Sequence, residues 1–144
     1  MMMLFISQRA KKGQISTEYV IVLAFVLFLI AGLLGIAFFY ASEIKDALRL
    51  NQLERFAKKV TTTAESVFYA GEPSKTSITA YLPDGVYAVD VSPYDLIFTV
   101  STRSGVAKIA YTSSVALTGN ISAGGGVKKI VISALPTRVN VTSV

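Results

Sequence analysis

The side chains of this chain that could do chemistry are few. Histidine, cysteine and tryptophan are absent from its 144 residues. That removes the commonest nucleophile–base pairs, thiolate metal sites and any disulfide framework. In the C-terminal half the carboxylates to weigh are Glu72, Asp84, Asp90 and Asp95. Asp84 and Asp95 stand beside turn signals, in Pro83-Asp84-Gly85 and Ser92-Pro93-Tyr94-Asp95, and read as turn formers. Asp90 falls in a strand-like run, and no spacing requires a paired-carboxylate site. The run Ala123-Gly124-Gly125-Gly126 is not a phosphate loop, because no Lys-Ser/Thr and no helix start follows it. The expectation is therefore a non-enzyme with no catalytic residue, no metal and no cofactor. Two sequons remain, Asn120-Ile121-Ser122 and Asn140-Val141-Thr142, and Asn120 and Asn140 are candidate N-glycosylation sites.

The more informative chemistry lies near the N-terminus. Between Glu18 and Glu43 no acid or base interrupts the sequence apart from tyrosines. A helix crosses a bilayer in about 20 apolar residues, and this run is long enough. Arg9, Lys11 and Lys12 precede it, so charge asymmetry puts the first residues in the cytoplasm and the chain after Tyr40 outside. The run is too long for an ordinary secretory signal, and Phe38-Phe39-Tyr40-Ala41-Ser42-Glu43 offers no small-x-small cleavage site. A retained membrane helix is expected. Glu18 at its edge is costly to bury without a partner; alternatively it sits in headgroup water and caps the helix dipole. Ala31, Gly32 and Gly35 cluster mid-run, where small residues permit close helix–helix approach. Ordinary membrane-helix composition, rich in Gly, is the competing account of that cluster.

The junction before the run reads Lys11-Lys12-Gly13-Gln14-Ile15-Ser16-Thr17-Glu18-Tyr19. It resembles the class III signal peptide of archaeal type IV pilins, with the basic pair, Gly, Gln, Ser, Glu, Tyr and apolar run in register over roughly the first third of the chain. The resemblance implies cleavage between Gly13 and Gln14 by a prepilin peptidase, with Lys11, Lys12, Ser16, Glu18 and Tyr19 as the recognition motif. It implies subunit assembly through Gln14, Glu18, Gly32 and Gly35, with Glu18 pairing the new α-amine of a neighbouring subunit. A glycine at the cut has a physical logic, since it lacks a Cβ and lies extended in a protease cleft. Removing Arg9, Lys11 and Lys12 would take the formal charge from +5 to +2.

The elements that position these residues follow from pattern. Residues 14–69 read as one long helix, apolar first and then amphipathic. Ile44, Leu48, Phe56, Val60, Ala64, Val67 and Phe68 recur at helical spacing, and Gly71 and Pro73 stop the helix. Thereafter Val, Ile, Thr, Ser, Tyr and Gly dominate in short alternating runs. Strands are expected at 77–82, 86–91, 96–102, 107–112, 115–121, 127–134 and 138–143, forming an antiparallel sheet with one face on the amphipathic part of the helix. Leu96, Phe98 and Val100 are expected inward, as are Ile109 and Tyr111, and Val139 and Val141.

The fold class is therefore α+β: a long N-terminal helix followed by an antiparallel β domain. The expected divisions are 1–13 as cytoplasmic leader, 14–72 as helix (14–41 membrane or filament core, 42–72 amphipathic) and 73–144 as extracellular β domain. The pI near 9.5 does not imply nucleic-acid binding, because much of the excess charge sits in the leader and the rest is scattered. The resemblance implies a structural subunit of an archaeal type IV-like pilus, serving surface adhesion. Its partners would be identical subunits, the prepilin peptidase, an assembly ATPase with its membrane platform, and the membrane itself for the precursor. Two alternatives stand beside it: an archaellin-like motility filament subunit, and a monomeric single-pass surface binding domain.

Overall fold

The computed structural model describes residues 6–144, with side chains from Ser16 onward. It has one helix, α1 (Ile6–Ala70), followed by seven strands: β1 (Lys75–Leu82), β2 (Val86–Val91), β3 (Asp95–Thr102), β4 (Gly105–Thr112), β5 (Leu117–Asn120), β6 (Gly126–Ala134) and β7 (Val139–Ser143). This is the α+β arrangement expected. The helix is already formed at Ile6, the first described residue and eight before position 14. Gln8, Arg9, Ala10, Lys11 and Lys12 all favour helix, and Gly13 alone costs only about 1 kcal/mol against Ala, too little to stop it. At the other end Gly71 takes φ +78° and donates its N–H to Phe68 O at 3.1 Å, closing the last turn.

The chain divides into two compact units, Met1–Glu43 and Ile44–Val144. The second unit contains all seven strands in two sheets, not one. A four-stranded sheet runs β1-β6-β7-β5 and a three-stranded meander runs β2-β3-β4. All pairings are antiparallel except β5 with β7, which is parallel. The expected antiparallel domain is thus antiparallel in every pairing but this one. The enabling residue of that pairing is Gly119, at φ +124°, where a Cβ would fall on the carbonyl oxygen of Val141. Only glycine lets β5 come that close to β7. The fifth strand is also shorter than the 115–121 expected, because Ser113 Oγ bonds locally, donating to Val115 O and accepting from Val115 N. Short polar side chains compete with the ladder in this way.

The core of this unit lies between the two sheets and α1. From the helix come Leu53, Phe56, Ala57, Val60, Ala64 and Val67; from the strands Leu96, Phe98, Val100, Ile130, Ile132, Val139 and Val141 are completely or almost completely buried. Phe56 and Phe98 meet edge to face at 5.9 Å, and Phe98 meets Tyr111 the same way at 5.8 Å. Such pairs add about 0.5–1.5 kcal/mol beyond their area. The expected inward residues of β3 and β7 are inside, while Ile109 and Tyr111 on β4 are only half-buried. Ile44 and Leu48, expected on the core face of the helix, are instead 58 % and 56 % exposed. The core stripe of α1 starts at Leu53, nine residues or about two and a half turns after Ile44, where the periodicity begins.

Candidate assembly surface

The residues singled out by the sequence sit mostly in the unit Met1–Glu43. Lys11, Lys12, Gly13 and Gln14 lie within α1, and their side chains fall outside the described residues. Ser16, Glu18 and Tyr19 follow on the same helix, and every side chain from Ser16 through Ala41 is exposed. The most apolar 18-residue stretch has a mean hydropathy of 3.1, enough to cross a membrane by length and composition. Phe25, Phe28, Leu33, Ile36 and Phe38 point in different directions around the axis yet all remain open. A helix that is apolar on every side has no face suited to water and must be covered by lipid or by protein.

Gly32 and Gly35 are three residues apart and so share a face of α1. A Cβ added at either would meet nothing within 4 Å. No packing within the chain therefore requires glycine there, although each costs the helix about 1 kcal/mol. They leave a shallow notch in an otherwise bulky surface, the feature that lets a second backbone approach. Near the C-terminal end of the apolar run Phe39 and Tyr40 meet edge to face at 6.0 Å, and Ser42 Oγ donates back to Phe39 O at 2.9 Å.

In the second unit four side chains of α1 bond the β domain, Asp46 accepting the backbone N–H of Arg103 at 3.0 Å and three others engaging strands and loops. Arg49 donates to Ser101 O at 2.7 Å, Lys59 to Thr79 O at 2.7 Å, and Glu65 accepts from Ser114 Oγ at 2.5 Å. Sequence periodicity marks these four only as solvent-facing charges. A shallow groove of about 260 Å³ lies beside the Lys59 contact, lined by Gln52, Arg55, Lys59 and Tyr81 among others. Burial, and then the negative charge of Glu54, push the Tyr111 hydroxyl above its ordinary range.

The carboxylates considered for catalysis are not brought together. Asp90 lies opposite Ile97, and Asp95 opposite Thr112, at separate registers of the three-stranded sheet. Asp84 packs its carboxylate against Gly125 in the loop before β6. No group of three acidic residues is placed to hold a metal among the described residues. The two sequons do converge. Asn120 pairs with Thr142, and Asn140 lies two residues earlier on the same strand as Thr142, so both asparagines belong to the outer face of the four-stranded sheet. Asn120 ends β5 and is exposed; Asn140 is half-buried, its Oδ1 lying against Gly119. Compared with known proteins, the chain matches no family model, no curated protein and no solved structure.

Proposed function

We propose that this chain is a pilin-like structural subunit, made as a membrane precursor and polymerised through helix α1. The observation that carries the reading is the exposure of every side chain from Ser16 through Ala41, on a helix without a polar face across its apolar run. As a precursor that surface is covered by lipid; in a filament, identical helices cover it. Burial against other apolar helices gains little relative to lipid, so tight packing at small residues must contribute, and Gly32 and Gly35 supply it. For the same reason extraction from the membrane calls for an assembly ATPase and platform. The resemblance of Lys11-Lys12-Gly13-Gln14-Ile15-Ser16-Thr17-Glu18-Tyr19 to class III signal peptides supports processing between Gly13 and Gln14. Because α1 is continuous through Gly13, a peptidase would have to unwind it locally, and glycine is the residue whose helical state is easiest to give up. The freed amine at Gln14 would lie one helical turn from Glu18, and neutralising that carboxylate across a subunit contact removes the cost of burying it. The filament would be extracellular and serve adhesion.

The deciding experiment is mass spectrometry of the N-terminus of protein sheared from cell surfaces. A chain beginning at Gln14 in filament fractions is expected. An intact chain beginning at a methionine and confined to membranes would overturn the reading and leave a monomeric anchored domain.

A further inference from the structure

The two sheets have four outer strands, β1 and β5 in one, β2 and β4 in the other. Exposed edges are templates for strand addition, and folded proteins ordinarily block them. Three of these edges are engaged in part. On β1 the ammonium of Lys59 occupies Thr79 O. The edges β2 and β5 face one another: Leu117 donates to Pro93 O at 2.7 Å, Gly124 donates to Val86 O at 3.3 Å, and β2 is irregular between Val86 and Ala88. The edge β4 is the least covered: between Gly105 and Thr112 no outward backbone group has a partner among the described residues, and Glu65 of α1 caps only the Ser114 N–H just beyond the strand. β4 pairs with β3 without a register shift from Thr112 to Gly105, contains no proline, and bears one charge, Lys108.

The direction of its free groups is fixed. Ser113 donates its N–H toward the β3 side, to Tyr94 O at 2.6 Å. Alternation along the strand then turns Tyr111, Ile109 and Ala107 toward β3, and turns Val106, Lys108, Ala110 and Thr112 outward. These four also have exposed side chains, Val106 at 68 %. On the inner face Ala107, Ile109 and Tyr111 touch the core yet stay half-buried, as they would beside a missing strand.

We infer that β4 pairs antiparallel with β4 of a second copy of this chain, about a two-fold axis at Ile109, joining the two meanders into one sheet. The occupant follows from the edges: β4 is the most open one, with no outward group capped along its length, and two copies joined through it pair β4 to β4, which closes at a dimer instead of propagating as a fibre. The register follows from overlap and charge: only two-folds at Lys108 or Ile109 overlap nearly all of β4. A two-fold through Lys108 would set two ammonium groups directly opposite, which is unfavourable. Moving the axis to Ile109 sets Lys108 opposite Ala110 and Val106 opposite Thr112, all outward-pointing, so each opposed pair exchanges both backbone bonds. Ile109 then meets its own copy on the inner face and covers the half-buried edge of the core. The inference is independent of polymerisation through α1. In a polar filament of parallel helices such a two-fold lies between filaments, not within one.

The test uses the full chain in detergent micelles, with Val106→Cys and Thr112→Cys combined. The natural sequence contains no cysteine to interfere. Within one strand these positions are about 20 Å apart, far beyond disulfide reach, whereas across the two-fold they are opposed. Mild oxidation is expected to give about tenfold more covalent dimer from the double variant than from either single variant, with position 106 of one copy linked to 112 of the other. Adding Ala110→Pro removes an outward N–H without costing a bond to β3, and is expected to return the dimer yield to the single-variant level. Equal yields from single and double variants, or a yield that the proline leaves unchanged, would overturn the inference. Neither result bears on cleavage at Gly13.

Discussion

Arg49 and Asp46 stand one turn apart on α1, 3.5 Å between guanidinium and carboxylate, and together they hold the closed end of the β3–β4 hairpin. Asp46 accepts the backbone N–H of Arg103 at 3.0 Å in the turn, while Arg49 donates to Ser101 O at 2.7 Å. The guanidinium also fills the space where a side chain at Gly85 would stand. Here α1 meets the three-stranded sheet just before its buried stripe begins at Leu53. The pair is part-exposed, so the ion pair itself is screened and contributes little. The value of the arrangement lies in the two backbone groups it satisfies.

Arg49→Ala is therefore expected to destabilise the second unit by about 1–2 kcal/mol, the worth of a charge-assisted hydrogen bond and its packing. Arg49→Lys restores the charge without the planar fork and is expected to recover only part of that. Asp46→Ala should cost less, since the Arg103 amide is exposed and water replaces the carboxylate. Urea midpoints for the three variants give the order directly.

Gly119 and Gly105 make a controlled pair. Both have φ +124°, a conformation that costs other residues about 1–3 kcal/mol. A Cβ at Gly105 meets nothing within 4 Å, whereas at Gly119 it runs into the backbone of Val141. Gly105→Ala is expected to show the backbone strain alone. Gly119→Ala is expected to exceed it by at least about 2 kcal/mol, because a backbone oxygen in a ladder cannot step aside. Equal losses in thermal denaturation would mean that the parallel β5–β7 pairing does not depend on close approach.

The sequence made the elements legible where period and punctuation agree. Val86–Val91 is bounded by Asp84-Gly85 and Ser92-Pro93, and the predicted strand coincides with β2. The alternation of Leu96, Phe98 and Val100 gave their burial for the same reason. It did not reveal the split into two sheets, because strand order depends on side chains meeting across long separations, as Phe56 and Phe98 do. Nor did it reveal that Ile44 and Leu48 stay outside, since a helical period fixes a face but not the residue at which a partner begins. The parallel pair was hidden because its cause, Gly119, looks in sequence like one more turn glycine. At the assembly surface the apolar run and its small residues were plain, whereas the half-burial of β4 leaves no local mark.

The two sequons share a face but differ in access. Asn120 closes the short edge strand, whereas Asn140 is half-buried on β7 between β5 and β6. Modification of Asn140 would have to swing its amide away from Gly119, and a glycan at Asn120 would lie across the same patch. An N-glycosylating enzyme acting on the folded chain is expected to modify Asn120 and leave Asn140 bare. Glycopeptide mapping of the wild-type chain and of Asn120→Gln decides this: a glycan moving to Asn140 in the variant with equal occupancy would show that access does not discriminate them.

Tyr111 carries the last prediction, which concerns pH. Burial and the charge of Glu54 raise its folded pKa above the ordinary value of about 10, at which it ionises when unfolded. Below that value the tyrosine is protonated in both states, and its contribution to stability is fully present. As pH rises beyond it, the unfolded chain ionises first, so the contribution is lost progressively until the folded tyrosine also loses its proton. Tyr111→Phe should therefore flatten the alkaline limb of the stability curve above about pH 10 while changing little at pH 7. Glu54→Gln should flatten it less, because the charge is the smaller of the two causes. Urea unfolding between neutral and strongly alkaline pH measures both. A wild-type limb no steeper than that of Tyr111→Phe would mean that the β4 edge admits enough water to leave the phenol ordinary, and the core would then end at Phe98.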